Sequence, residues 1–245
     1  MLTRIIAVGL VAGVLSGLVV SGLQQATTVP LILKAETYEN AAPAHEHSSL
    51  GTQSEARLIL VHTDAAPAAS EPEAWAPADG LERTVYTSLA TVGAGVGFAL
   101  MLLAAMLASG VDVTTRSAAL WGLGAFVATG LATGMGLPPE LPGAAAAELL
   151  SRQTWWIATA TATAAGIWLL FRVANPLAFL AGVALIVAPH LIGAPHPHDF
   201  SSTVPAELAG HFTSTSLAVH AVLWVLVGAA SGYFWQRFGQ ASASA

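Results

Sequence analysis

The segment Ala188-Pro189-His190-Leu191-Ile192-Gly193-Ala194-Pro195-His196-Pro197-His198-Asp199 gathers three imidazoles, one carboxylate and three prolines into one short stretch. Neutral imidazole ligates Zn, Cu, Ni and Co, whereas Mg and Ca prefer all-oxygen sites. Prolines fix the backbone and so lower the entropy cost of organising ligands. Extended backbone would turn His196 and His198 the same way, while polyproline II would make them diverge. The pattern points to capture of a late first-row divalent cation, with His190 and His196 as leading ligands and His198 assisting. A stiff polar loop with no ligand is the competing reading.

Carboxylates supply a second candidate set. Glu36 and Glu39 follow an apolar run that ends in Gln24-Gln25. If that helix continues past Pro30 with a kink, Gln25, Ile32, Glu36 and Glu39 share one face, and the two glutamates are neighbours. Paired carboxylates at a membrane mouth concentrate and partly dehydrate a divalent cation. A solvated helix end would carry the same residues. His45-Glu46-His47 is too isolated to weigh as more than a loop tract, and His62 is treated likewise.

His211 and His220 are nine residues apart, so a straight helix turns them to opposite sides and they do not chelate one ion together. His220 lies within an apolar run, where an ionisable side chain is a functional candidate by default. Together with Gln24, Gln25 and His211 it is assigned to a candidate ion pathway. A hydrogen-bonded structural histidine is the alternative for His220.

The elements that must position these groups follow from composition. The chain has 245 residues, 55% of them apolar and only 9% charged. Soluble domains carry about 25% charged residues, so an ordinary water-soluble enzyme is excluded. With 8 Lys and Arg against 14 Asp and Glu, the net charge of −6 offers no basic footprint for nucleic acid. The absence of cysteine removes disulfides, thiolate metal sites and Cys nucleophiles. Histidine-box spacings, H-E-x-x-H and G-x-S-x-G are all missing, so no enzyme is expected. A nucleotide-binding motif is missing too, which leaves membrane potential, an ion gradient or a partner as energy source.

A membrane-crossing helix needs about 20 apolar residues. Six runs meet or approach this: 5–23, 85–107, 118–136, 155–171, 177–192 and 214–234. The first is read as a retained helix rather than a signal peptide, since it is long and has no A-x-A-like site after it. Pro176 cannot continue the fourth run and biases Asn175 away from helix, so a tight hairpin is expected between the fourth and fifth. The fifth is short, and a re-entrant segment is its alternative. Residues 40–83 are rich in Ala, Pro, Ser and Glu and are expected to form a largely irregular extracytoplasmic loop.

Orientation is read from basic residues. Arg4, Arg116, Arg172 and Arg237 fall in short connections on one side; Lys34, Arg57, Arg83 and Arg152 are spread over much longer segments on the other. This favours both termini inside. All eight histidines then fall outside or near the outer end of a helix. Small residues at four-residue spacing (Gly9, Gly13, Gly17 and Ser21; Gly93 and Gly97; Gly130 and Gly134; Gly228 and Gly232) are read as close helix packing, with oligomerisation as a secondary use. The fold class is an all-α polytopic bundle in one membrane domain.

Several motifs together resemble a known family. They are Leu23-Gln24-Gln25 with Val29-Pro30 and Glu36-Thr37-Tyr38-Glu39, then Leu137-Pro138-Pro139-Glu140-Leu141-Pro142-Gly143 and Arg152-Gln153-Thr154-Trp155-Trp156. Ala188-Pro189-His190 with Gly193-Ala194-Pro195-His196-Pro197 follows, then Ser216-Leu217 with Trp224 and Gly228. In these the chain resembles the predicted cobalt transporter subunit family CbtA of bacterial membrane proteins. The resemblance implies a multi-pass inner-membrane protein for uptake of Co²⁺, and a small one-span, histidine-rich partner subunit, CbtB. Ligands of this kind hold Ni²⁺ at least as tightly as Co²⁺, so cobalt preference must come from geometry, the partner or metal supply. No tightly bound cofactor is expected. A metal-binding accessory or sensor subunit without transport is the alternative function, and a membrane metalloenzyme the more remote one.

Overall fold

The structure, a computed structural model, describes residues 1–41 and 77–243. His45, His47 and His62 lie outside the described residues, as does most of the expected loop. Seven helices are present among the described residues: α1 (Leu2–Ala26), α2 (Thr28–Ala41), α3 (Leu81–Ala108), α4 (Thr115–Gly134), α5 (Leu149–Arg172), α6 (Pro176–Ile192) and α7 (Ala206–Ala243). No strand is found among them. Five helices are long and apolar enough to cross a membrane, namely α1, α3, α4, α5 and α7. α6 is apolar but has 17 residues, a length of roughly 25 Å against a hydrocarbon layer of about 30 Å.

Local chemistry sets the helix ends. Thr114 accepts from the Ser117 N–H at 3.1 Å while Ser117 Oγ accepts from the Thr114 N–H at 2.9 Å, a capping box that starts α4. The Glu148 carboxylate starts α5 by accepting from the N–H groups of Leu150 at 2.9 Å and Ser151 at 2.7 Å. At the α5–α6 turn, Asn175 Oδ1 accepts from the Leu177 N–H at 2.8 Å, and Pro176 occupies the first helical position, where no donor is needed. The tight hairpin forms as its proline requires.

The structure adds detail at two places. The first helix does not run on past Pro30 with a kink: it stops at Thr27, and Pro30 sits in the first turn of a new helix, α2. A proline lacking its N–H is tolerated in a first turn, so the break falls upstream of it. Most of the segment expected as a loop over 40–83 lies outside the described residues, and at its edges α2 reaches Ala41 and α3 begins at Leu81.

Backbone approach decides the packing, since lipid gives helices no hydrophobic reason to associate. α1 lies against α3, where a Cβ on Gly13 would fall 2.3 Å from Val96 Cα and one on Gly95 would fall 2.6 Å from the Gly13 carbonyl oxygen. Gly93 and Gly97, read from their spacing as packing positions, face open space within this chain. They lie on the opposite side of α3 from Gly95, because the partner of α1 is the Gly95, Ala99 and Leu102 face. α4 lies against α7 through Gly122, Gly228 and Gly232. The main core at these contacts includes Leu103, Met106, Val219, Leu223 and Trp224. Ala35 of α2 joins Leu141, Val204, Leu208 and Phe212 in a smaller cluster over the 137–143 connection.

Candidate functional site

The helices alternate in direction, so one end of the bundle collects the ends of α1, α4 and α6 and the starts of α3, α5 and α7. Cross-links at this end include Thr213 Oγ1 donating to the Pro139 carbonyl at 3.0 Å and the Thr203 N–H donating to the Gly143 carbonyl at 3.3 Å. His190, His196, His198, His211, Glu36, Glu39, Gln24 and Gln25 all belong to it. The opposite end carries Arg4, which lies over the Trp235 ring, and Arg172, which donates to the Ser109 carbonyl at 3.1 Å.

His190 is half-buried on the last turn of α6, edge-on to Trp155 of α5 at 6.2 Å between ring centroids. The helix stops three residues later because Gly193 takes φ of 88°, a conformation costly for any other residue. His196 and His198 follow on the exposed turn beyond it. Asp199 accepts from Ser201 through both carboxylate oxygens, so it is occupied within its own turn.

Glu36 is not an open carboxylate. Arg83 at the start of α3 grips it through both guanidinium nitrogens, with Nη1 to Oε2 at 2.9 Å. Glu39 is exposed, near Gly143. The Gln24 side-chain oxygen accepts from Thr91 Oγ1 at 2.9 Å, and Gln25 is half-buried. His211 is exposed while His220 is turned inward, as their nine-residue spacing requires. Among the described residues, no group of three His, Asp or Glu stands close enough to hold a metal ion together.

A cleft of about 780 Å³ joins this end to His220. Its walls are the last turns of α4 (Thr129, Gly130, Thr133 and Gly134), the 137–140 connection, the start of α5 (Leu149, Arg152, Gln153, Trp156 and Ile157), and Leu217 and His220 of α7. Glu140 and Arg152 form an ion pair at 2.8 Å among them. α4 is not regular here: Val127–Leu131 is a π-turn in which the Ala132 N–H donates to the Val127 carbonyl. Such turns occur often at functional sites. A second, more apolar cleft of about 780 Å³ runs between α5 and α6 beneath the Pro189–Pro195 turn. Trp155 lines this one and Trp156 the first, so α5 is the wall between them.

Sequence reading missed Thr129, Thr133, Glu140, Arg152 and Gln153 as site residues. Glu140 and Arg152 stood in two separate motifs, and nothing local ties one to the other. The π-turn leaves no mark in the apolar pattern.

No curated protein and no solved structure matches the chain significantly. One family model does, over residues 2–236, that of a probable cobalt transporter subunit. The helices suited to crossing a membrane, the described histidines gathered toward one end and a match over nearly the whole chain agree: this multi-pass membrane protein belongs to the CbtA family of probable cobalt transporter subunits.

Proposed function

We propose that the chain is the membrane component of an uptake system for Co²⁺ or a chemically similar divalent cation. The histidine-bearing end captures the ion, and the cleft passes it toward His220. The observation that carries this reading is an imidazole well inside α7, lining a cleft that also reaches Glu140 beyond the helix ends. His190 and His196 are the first ligands, with His198 and Glu39 assisting. Glu36 joins only by releasing Arg83. Inside the bundle, Thr133 offers a hydroxyl oxygen along the same wall. The small one-span, histidine-rich subunit is the proposed partner, and the bacterial inner membrane the proposed location. No catalytic role is assigned.

A subunit that binds metal without passing it is the second reading. It is favoured by the ion pairs Glu36–Arg83 and Glu140–Arg152, which close two of the carboxylates at this end to a cation.

The test measures radiolabelled cobalt uptake by cells alongside metal binding by purified protein. The His190→Ala, His196→Ala double variant should lose at least about tenfold in affinity, the scale of losing even an outer-shell partner. Wild-type binding should weaken in acid as protons compete for imidazole. Uptake should fall with it, and in His220→Ala as well. Equal affinity in the double variant would show that the turn is only a rigid loop. Binding without any protein-dependent uptake would favour the second reading.

A further inference from the structure

His220 and Trp224 stand one turn apart on α7, and the Trp224 indole N–H donates to His220 Nε2 at 2.8 Å. The same N–H reaches Thr129 Oγ1 at 3.1 Å, on the π-turn of α4. Indole nitrogen is a donor only, so the Nε2 it meets must present a lone pair. A neutral imidazole carries one proton, which is then on Nδ1. Nδ1 faces Gly130, where an added Cβ would lie 3.3 Å from it. Thus one ring nitrogen is occupied by Trp224 and the other is an N–H. A cation needs a nitrogen lone pair, and in this arrangement His220 has none to give.

We propose that Trp224 is a latch on His220, and that Thr129 is the alternative acceptor that lets the latch open. The proposal rests on His220 being a pathway residue. With the indole N–H shared or held by His220, the imidazole is closed to metal. With the N–H handed fully to Thr129 Oγ1, the Nε2 lone pair is free for a divalent cation.

Three features make the exchange cheap. Trp224 is buried and its ring stacks on Phe98 of α3 at 4.6 Å, so its position is kept while the hydrogen bond changes partner. Thr129 donates its own proton to the Ala125 carbonyl at 2.8 Å, which leaves its oxygen lone pairs for the indole. Both acceptors lie within hydrogen-bond reach, so opening never strands a buried donor, the costly event in such an exchange. Trp224 and Thr129 are therefore positioning residues, acting through His220.

The experiment compares saturation curves of radiolabelled cobalt uptake in cells for five full-length proteins, with membrane abundance measured by immunoblot. Trp224→Phe keeps the aromatic stack and removes the N–H. It should lower KM by roughly two- to tenfold, the scale of one hydrogen bond. Thr129→Val keeps the shape and removes the second acceptor, and it should raise KM by a similar factor. Thr129→Ser restores an acceptor and should return KM to the wild-type value. A purely structural role would lower abundance or maximal rate without moving KM in opposite directions. If His220→Ala lowers uptake but the Phe and Val variants share one KM, or shift it the same way, the latch is overturned. If His220→Ala transports normally, the pathway reading fails and the latch with it. Should Trp224→Phe not reach the membrane, the Val and Ser variants at Thr129 decide the question between themselves.

Discussion

Gly166 of α5 and Gly182 of α6 are in reciprocal contact: a Cβ on Gly166 would fall 2.7 Å from the Gly182 carbonyl oxygen, and one on Gly182 would fall 2.8 Å from that of Gly166. Both obstacles are backbone, so a methyl group cannot be accommodated by turning a side chain. Gly166→Ala and Gly182→Ala should each cost about 1–3 kcal/mol, the usual scale of overpacking. Unfolding of the purified protein in detergent measures it. Gly93→Ala and Gly97→Ala, which face open space, should cost nothing and gain slightly in helix propensity. Equal losses in both pairs would show that the α3 face is packed against something as closely as the hairpin.

The hairpin bears on topology. Six crossings would put both termini on one side, expected to be cytoplasmic from the basic residues; a re-entrant α6 would leave five. A reporter fused after Ala245 should be active only in its cytoplasmic form. Activity of a periplasmic reporter at that position would overturn the six-span count and favour the re-entrant α6.

Arg83 holds Glu36 in an ion pair, so a cation drawn to Glu36 would have to displace it. Both side chains are about one-third exposed or less, so the pair itself should contribute only about 0–1 kcal/mol to stability. Arg83→Gln should therefore leave the melting temperature nearly unchanged while strengthening Co²⁺ binding by the purified protein. Glu36→Gln should reverse that gain in the Arg83→Gln background and change little alone. An equal loss from Glu36→Gln in both backgrounds would show that no competition exists.

Glu148 gives a pH dependence whose sign is fixed. Hydrogen bonds from the Leu150 and Ser151 N–H groups, and from the Ser151 hydroxyl, hold its carboxyl below the usual carboxylate range. The folded state thus binds its proton less readily than the unfolded chain. The resulting stability is full above the ordinary glutamate range and is lost as pH falls through the lowered value. Melting temperature measured against pH should fall less steeply on the acid side in Glu148→Ala than in the wild type. Identical acid limbs would show that the cap does not contribute.

The sequence by itself determined what lipid and backbone decide locally. Uniform apolar runs, free of Asp, Glu, Lys and Arg, require helices, because backbone groups in hydrocarbon must be satisfied within the segment. Pro176 and Asn175 specify the hairpin turn, and the His190–His198 stretch marks the end of the bundle that carries imidazoles. Tertiary structure decided the pairings. Glu36 meets Arg83 across 47 residues, and opposite charge alone does not say which arginine is taken. Gly95, rather than Gly93 or Gly97, meets α1, since every glycine on a helix offers the same small surface and only the angle of approach selects one. His220 and Trp224 share a helix face at four-residue spacing, so their contact was legible. Its consequence was not, because the second acceptor, Thr129, comes from another helix, and a π-turn there changes which side chains face α7.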